Sequence, residues 1–306
     1  MITAEPVSLN DQQMLVEHFL ALDIGLSEYS FPNVYLFREQ HQYKVITGQS
    51  IYVRGVHRDG CTYLMVTEPV HKLPVLEFFQ QLCQTDYLYP VPNTWRPLFP
   101  PNIFLITNSE ADTDYIYTLE KLREYPGRKL SGKRNLVKQF MESYAWRAEP
   151  LSIQNTADAK VVLTEWQRSF EESDPADVSA CNEALTLWGQ FLNLEGRIYY
   201  VDNKPAGFII GGKLTKHSHV VHFVKAIKGY KGIYQFIYQD YSKNLQDCTH
   251  CINLEQDLGN PQLAQAKHSY EPDCLCVKLR IALQPEIKDQ VCKGTLAANF
   301  KWQSNN

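Results

Sequence analysis

The chain has 306 residues, of which 44% are hydrophobic and 21% charged, with a formal net charge of -4. This composition excludes a disordered chain and suits a packed core in one large domain or two of about 150 residues. The mild net acidity excludes a molecule-wide attraction to nucleic acid or membrane, so any anion site has to be local.

No stretch approaches the roughly 18 apolar residues that a bilayer span needs. The first residues lack the basic and apolar segments of a signal peptide. The expectation is a cytoplasmic protein that is not an integral membrane protein. Eight cysteines are present. Cys248 and Cys251, with Cys274 and Cys276, raise the question of zinc. Three of the four fall in strand-like runs whose alternate residues point to opposite faces, so no metal is expected.

Residues 2–9 read as a short extended piece. Asn10-Asp11 then start a helix with Met14, Leu15, His18, Phe19 and Leu22 on one face. Strand-like runs follow at residues 34–39, 43–48, 50–55 and 62–69, and a helix at 73–84. Residues 87–101 are rich in proline and read as an irregular crossing loop. Residues 114–119 look extended. Residues 120–146 form a basic helical stretch broken at Pro126-Gly127.

The pattern then restarts. Ala148-Glu149-Pro150-Leu151-Ser152-Ile153 echoes Ala4-Glu5-Pro6-Val7-Ser8-Leu9 at an offset of nearly half the chain, and a helix follows both times. In the second copy the helical stripe is Val162, Leu163, Trp166 and Phe170. A repeat of this size means paired lobes. A second helix at 177–194 precedes strands at 197–202, 206–214 and 219–226. After a turn at 227–232 come a helix to residue 245, a strand at 251–256, a helix starting at Asn260-Pro261, and a last strand at 274–281. Nothing regular is expected beyond residue 284. The fold class is α/β with mixed sheets in two tandem lobes. Their expected extents are residues 1–135 and 136–290, with a tail at 291–306.

Three constellations carry chemistry. Gly229 and Gly232 flank Tyr230-Lys231 immediately before a helix, where free N–H groups and the helix dipole suit a phosphate. Residues 203–239 hold no carboxylate, while Lys204, Lys213, Lys216, Lys225, Lys228 and Lys231 are all basic. Ordinary solvated lysines would look the same. On the 251–256 strand, Cys251, Asn253 and Glu255 share a face, and Lys267 and Tyr270 project to one side of the following helix. A carboxylate, a lysine and a tyrosine supply a base, a charge stabiliser and an acid. A structural Glu–Lys pair explains them equally well. Lastly, Arg128, Lys129, Lys133 and Arg134 cluster near the lobe boundary, as phosphate ligands or as a solvated helix face.

Three segments together resemble a bacterial family related to the C-terminal catalytic domain of phosphatidylglycerol lysyltransferase. They are Phe31-x-Asn33-x-Tyr35; residues 117–135, with Leu-Arg-Glu-Tyr-Pro-Gly-Arg-Lys and Lys133-Arg134-Asn135; and Asn253-Leu254-Glu255-Gln256-Asp257-Leu258-Gly259, followed by Ala266-Lys267-His268-Ser269-Tyr270-x-Pro272. The similarity covers about residues 10–280. It implies two GNAT-like acyltransferase lobes, as in Fem-type aminoacyl transferases, acting on an amine or hydroxyl acceptor.

The resemblance also implies roles. Glu255 would be the general base, beside Asn253. Lys267 would stabilise charge, and Tyr270 would protonate the leaving group. Lys228, Gly229, Tyr230, Lys231 and Gly232 occupy the turn that grips the pyrophosphate of acyl-CoA in GNAT folds. Lys133, Arg134 and Asn135 would hold donor phosphates. Read from the residues themselves, Phe31, Asn33 and Tyr35 place an asparagine beside aromatics, which would line the substrate cleft with Asp257 or, as the pattern alone favours, serve in packing. The usual Arg/Gln-x-x-Gly-x-Gly/Ala signature is absent in clean form, so the donor stays open between acyl-CoA and aminoacyl-tRNA. The membrane-spanning region of the lysyltransferases is not present in the sequence. A non-catalytic protein that keeps the fold and binds a nucleotide or tRNA end is the second reading.

Overall fold

The computed structural model describes residues 2–169, 174–191, 193–246, 248–293 and 302. By chain contacts it divides into residues 1–114 with 276–306, and residues 115–275. These boundaries replace the expected cuts at 135 and 290, and the cause is the order of strands in the two sheets.

The first lobe begins with β1 (Thr3–Pro6), α1 (Gln12–Leu22), α2 (Phe31–Leu36) and α3 (Arg38–His41). It continues with β2 (Lys44–Thr47), β3 (Ile51–Val56), β4 (Thr62–Val66), α4 (Val75–Cys83), β5 (Tyr87–Pro92) and β6 (Phe104–Asn108). Next in the chain come β7 (Asp114–Thr118), α5 (Leu119–Glu124), α6 (Ser131–Ser143), β8 (Trp146–Pro150), α7 (Thr156–Ser169) and α8 (Pro175–Thr186). The strands β9 (Leu194–Val201), β10 (Lys204–Lys213) and β11 (Ser218–Ala226) lead to α9 (Ile233–Asn244), β12 (Cys251–Asn253) and α10 (Pro261–His268). The chain closes with β13 (Cys274–Cys276), β14 (Lys278–Leu283) and α11 (Pro285–Cys292).

The first sheet runs β1-β2-β3-β4-β5-β14-β6, and the second, read from its β8 edge, runs β8-β9-β10-β11-β12-β7-β13. The two orders are the same. In each, four antiparallel strands are followed by one parallel pair, β4 with β5 and β11 with β12. In each, the sixth place goes to a strand out of sequence order: β14, made after the second lobe, in the first sheet, and β7, which opens the second lobe's run of chain, in the second. Each echoed segment supplies the last three residues of its strand, β1 or β8, and the start of the loop that follows, and both strands are the outer edge of their sheets. Sequence periodicity finds strands but not their partners. The run at 274–281 therefore read as one strand, whereas the chain leaves the second sheet after β13 and enters the first as β14.

Other expectations also change. Residues 34–39 are not a strand: α2 covers Phe31–Leu36, and all six residues are buried. A helix buried all round reads as a continuous apolar run, which periodicity cannot tell from a strand. Residues 87–92 of the supposed crossing loop form β5, inside the sheet. Its proline at residue 90 is tolerated because the ladder with β14 shifts register between Leu279 and Ile281 there. Past residue 284, Pro285 opens α11. Of the tail, only residues 291–293 and 302 are described, and Phe170 of the expected helical stripe lies outside the described residues.

The first lobe's core gathers Tyr52, Leu64, Phe78, Phe79, Phe104 and Ile281. Its segment 27–29 is bound onto its own sheet. Tyr29 donates from its hydroxyl to the Pro90 carbonyl (3.1 Å), and Tyr89 donates to Glu28 (2.9 Å). Lys278, fully buried, lies 2.8 Å from Glu28 and 2.7 Å from Asp114. The carboxyl end of β5 is thus covered by the lobe's own chain. Burial raises the Glu28 carboxyl above its ordinary range. Burial alone would lower Lys278, but the carboxylates of Asp114 and Glu28 outweigh it and raise it.

Candidate functional site

In the second lobe, α7 packs on β10 and β11, and α9 packs on β9, β10 and β11. Residues such as Tyr117, Tyr199, Ile209, Val221, Ile237 and Ile252 form the core beneath α9. The parallel pair β11/β12 is short. It joins Ser218 to Cys251, His219 to Ile252 and Val220 to Asn253, while β11 runs on to Ala226. Beyond Val220 and Asn253 the two strands carry no shared ladder. Ligands of sheets with parallel strands bind where the carboxyl ends open.

Glu255 stands just past that point. Its backbone is left-handed, at φ 60°, a conformation that costs a non-glycine residue free energy and needs support from its surroundings. The support comes from several elements. The Glu255 N–H donates to Asn253 Oδ1 (2.7 Å), and its carbonyl accepts from the Tyr115 N–H of β7 (3.2 Å). Lys267 Nζ, from α10, donates to the carbonyls of Glu255 (3.1 Å) and Gln256 (2.6 Å). The carboxylate lies 2.8 Å through Oε1 from His222 Nδ1, and its side chain keeps 17% exposure against 1% for His222.

The sequence reading missed His222. On β11, Phe223 faces Ile210 and Val221 faces Gly211, so His222 is the extra residue of a β-bulge. Bulges re-aim side chains, and they are common beside active sites. Its trace in the sequence is a histidine between Val221 and Phe223, in the apolar middle of a strand.

The other expected residues fall into place as follows. Asn253 is buried, and its carbonyl oxygen supports Glu255. Asp257 is also buried; it accepts from the Tyr115 hydroxyl (2.6 Å) and the Gly259 N–H (2.8 Å), which fixes the loop leaving β12. Burial, and then this bond to Asp257, push the Tyr115 hydroxyl up to about 12. Tyr270 is buried beside Tyr125 and Tyr238, and its hydroxyl accepts from Gln235 of α9 (2.9 Å). Burial holds that hydroxyl protonated well above its ordinary value.

Lys133 donates to Ser269 (2.6 Å), and its ammonium sits 3.9 Å from the centre of the Tyr270 ring. Burial lowers its pKa. Arg134 donates to the carbonyls of Tyr125 and Gly127, so it ties the chain break at residues 125–127 to α6. Asn135 is exposed. Phe31, Asn33 and Tyr35 lie buried on α2 in the first lobe, with Phe31 and Tyr35 in ring contact at 5.8 Å.

The lysine run is not one surface. Lys213 ends β10, a strand of ten residues and thus about 33 Å long, and Lys216 lies just past it. Lys225 is buried; its ammonium is 2.6 Å from Asp177 and 3.8 Å from the centre of the Trp166 ring. Lys228 and Lys231 are exposed on the turn, where Tyr230 packs edge-on against Tyr144 at 5.4 Å.

That turn spends its own amides. The Lys231 N–H donates to the Tyr144 hydroxyl and the Ile233 N–H to the Tyr230 carbonyl, both at 3.2 Å. Gly229 and Gly232 are left-handed, at φ 114° and 85°. A Cβ on Gly232 would stand 2.2 Å from the Leu136 carbonyl oxygen of α6. Gly232→Ala is therefore expected to cost about 1–3 kcal/mol from backbone strain, plus the displacement of α6. Urea unfolding at a fixed pH checks this, and an unchanged midpoint would reject the close packing of α6 on the turn.

Among the described residues, no group of three or more His, Cys, Asp or Glu is arranged to hold a metal ion. No helix among them is long and apolar enough to cross a membrane.

The sequence family described as phosphatidylglycerol lysyltransferase, C-terminal, matches residues 21–276. No curated protein matches the chain. Among solved structures, the chain is similar to a conserved protein of unknown function from Bacteroides thetaiotaomicron. That likeness has 22% identity and a TM-score of 0.84, and covers 93% of this chain and 100% of that one. The chain is similar to L-PGS from Bacillus licheniformis at 13% identity and a TM-score of 0.62, over 96% and 98% of the two chains. It is similar to FemX at 7% identity and a TM-score of 0.58, over 94% and 99%. At these identities the likenesses establish the fold, two tandem GNAT-like lobes.

Proposed function

Since the chain belongs to the family of the phosphatidylglycerol lysyltransferase C-terminal domain, we propose that it transfers an aminoacyl group from aminoacyl-tRNA to an amine or hydroxyl acceptor at the open end of β11 and β12. The observation that carries this reading is Glu255, a partly exposed carboxylate held in a strained backbone where the parallel pair ends. The names of its relatives, L-PGS and FemX, support a transferase of this kind.

The acceptor's nitrogen or oxygen attacks the ester carbonyl carbon of the donor. Glu255 takes the proton that the acceptor loses. As the bond from carbon to the ribose oxygen breaks, the same proton passes to that oxygen, and Glu255 returns to its starting state. Asn253 and Lys267 hold the chain that carries Glu255. Tyr270, the acid implied by the resemblance, is engaged by Gln235, and the shuttle does not need it.

Aminoacyl-tRNA is preferred over acyl-CoA because, where the turn at residues 227–232 enters α9, the Lys231 amide is taken by the Tyr144 hydroxyl and the Ile233 amide by the Tyr230 carbonyl. A pyrophosphate cradle needs such amides free. Exposed Lys228 and Lys231 remain as contacts for an RNA backbone.

The test compares thermal stabilisation by acetyl-CoA, free CoA, uncharged tRNA and aminoacyl-tRNA. A ligand of the folded state adds about 2.7 kcal/mol at a hundredfold excess over its dissociation constant. The expected result is a rise in Tm with aminoacyl-tRNA, accompanied by enzyme-dependent loss of the labelled amino acid when amines or phosphatidylglycerol vesicles are supplied. A shift with acetyl-CoA alone would move the donor to acyl-CoA. Equal shifts with charged and uncharged tRNA, without ester loss, would leave a binding protein.

A further inference from the structure

We propose that His222 is the positioning residue of Glu255, holding the carboxylate at the angle from which it takes the acceptor's proton. This rests on the transferase reading above. Glu255 is anchored through its backbone. Its main chain is fixed from Asn253, from β7 through Tyr115 and from α10 through Lys267. None of these bonds reaches the carboxylate. The ladder between β11 and β12 ends at Val220 and Asn253, so no shared strand pairing orients the Glu255 side chain against β11.

His222 bridges that gap. It lies two residues past Val220, as Glu255 lies two past Asn253, and the two side chains meet at 2.8 Å. A regular β11 would seat residue 222 in the ladder with β10. The bulge removes it from that ladder, and Gly211 pairs with Val221 instead. A bulge weakens a ladder locally, and here its effect is to bring a buried imidazole to a carboxylate. Among the described residues the first lobe shows no such arrangement. There the parallel pair joins only Tyr63 to Tyr87 and Leu64 to Leu88, and segment 27–29 covers the end of β5.

A base must sit about 2.6–3.2 Å from the atom whose proton it takes, and an error of about 1 Å can cost a hundredfold in rate. His222→Phe keeps a ring in the bulge and removes the bond to the carboxylate. His222→Asn keeps an N–H donor near the place of Nδ1. The probes are radiolabelled lysyl-tRNA as donor, with small amines or phosphatidylglycerol vesicles as acceptors.

The expected result is a roughly 10- to 100-fold fall in kcat for His222→Phe, with KM for the tRNA little changed. His222→Asn restores most of the rate at an unchanged Tm. The double variant His222→Phe with Glu255→Gln is no slower than Glu255→Gln alone, since the two residues act as one unit. Wild-type kcat in His222→Phe, or losses that multiply in the double variant, would overturn the proposal.

An arm that needs no turnover separates the two readings: the imidazole nitrogen chemical shifts of His222, compared between the wild-type chain and Glu255→Gln. Shifts that do not move mean the pair does not exist, whatever the activity. Shifts that move while Glu255→Gln stays fully active leave the pair standing and remove the base role of Glu255, and with it the positioning role in catalysis.

Discussion

Glu255→Gln is expected to lower aminoacyl transfer at least about a hundredfold, within the range that a general base contributes, while the chain keeps its fold. The substitution preserves size and leaves an amide oxygen that can still accept a hydrogen bond from His222. It removes only the capacity to take a proton. Glu255 forms no part of the buried core, and its side chain is 17% exposed. Its Tm and circular dichroism should therefore match those of the wild-type chain. Donor binding should also persist, because Lys228 and Lys231 lie on a different turn. Stabilisation by aminoacyl-tRNA without turnover is the decisive pattern, whereas full turnover would remove Glu255 from the chemistry.

The largest stability effect is expected in the other lobe. Lys278→Met should cost about 3–5 kcal/mol, the usual loss when one member of a buried ion group is removed. At about 2–4 °C per kcal/mol for a unit of this size, the fall in Tm is on the order of 10 °C. The ammonium is wholly buried, as is Asp114, and Glu28 is nearly so. Methionine fills the space but leaves two carboxylates without their cation. Glu28 already has a raised pKa, so it is the easier of the two to neutralise. Adding Glu28→Gln to Lys278→Met should recover part of the loss. A cost below about 1 kcal/mol would mean that the group behaves like a surface ion pair.

These two sites differ in how plainly the sequence announces them. The sequence puts Glu255 on one strand face with Cys251 and Asn253, ahead of a helix bearing Lys267, and the structure places it two residues past the end of β12. The mode of action of Lys267 was not legible, since its main-chain acceptors depend on how the loop folds back. His222 was hidden because a bulge is a fault in pairing, and a single strand carries no record of its partner's register. The tandem lobes could be seen from the echo between residues 4–9 and 148–153. The division between them could not, because β7 and β14 take places in their sheets out of sequence order. Lys225, read as part of an anion site, belongs instead with Asp177 and Trp166. Charge alone does not distinguish a buried cation from a solvated one.

The position of β14 has a consequence for synthesis. The ribosome makes β1 to β6 early, but the place between β5 and β6 belongs to residues 278–283, which follow the whole of the second lobe. At about 5–20 residues per second, the first lobe waits many seconds with an unpaired strand edge in its centre. The second lobe can close its sheet as soon as β13 is made, since β7 has by then been synthesised. The half of the protein that carries the candidate chemistry can thus mature before the half that is translated first. Chains truncated just short of β14 and released from the ribosome should protect the later lobe from protease and leave the earlier one open.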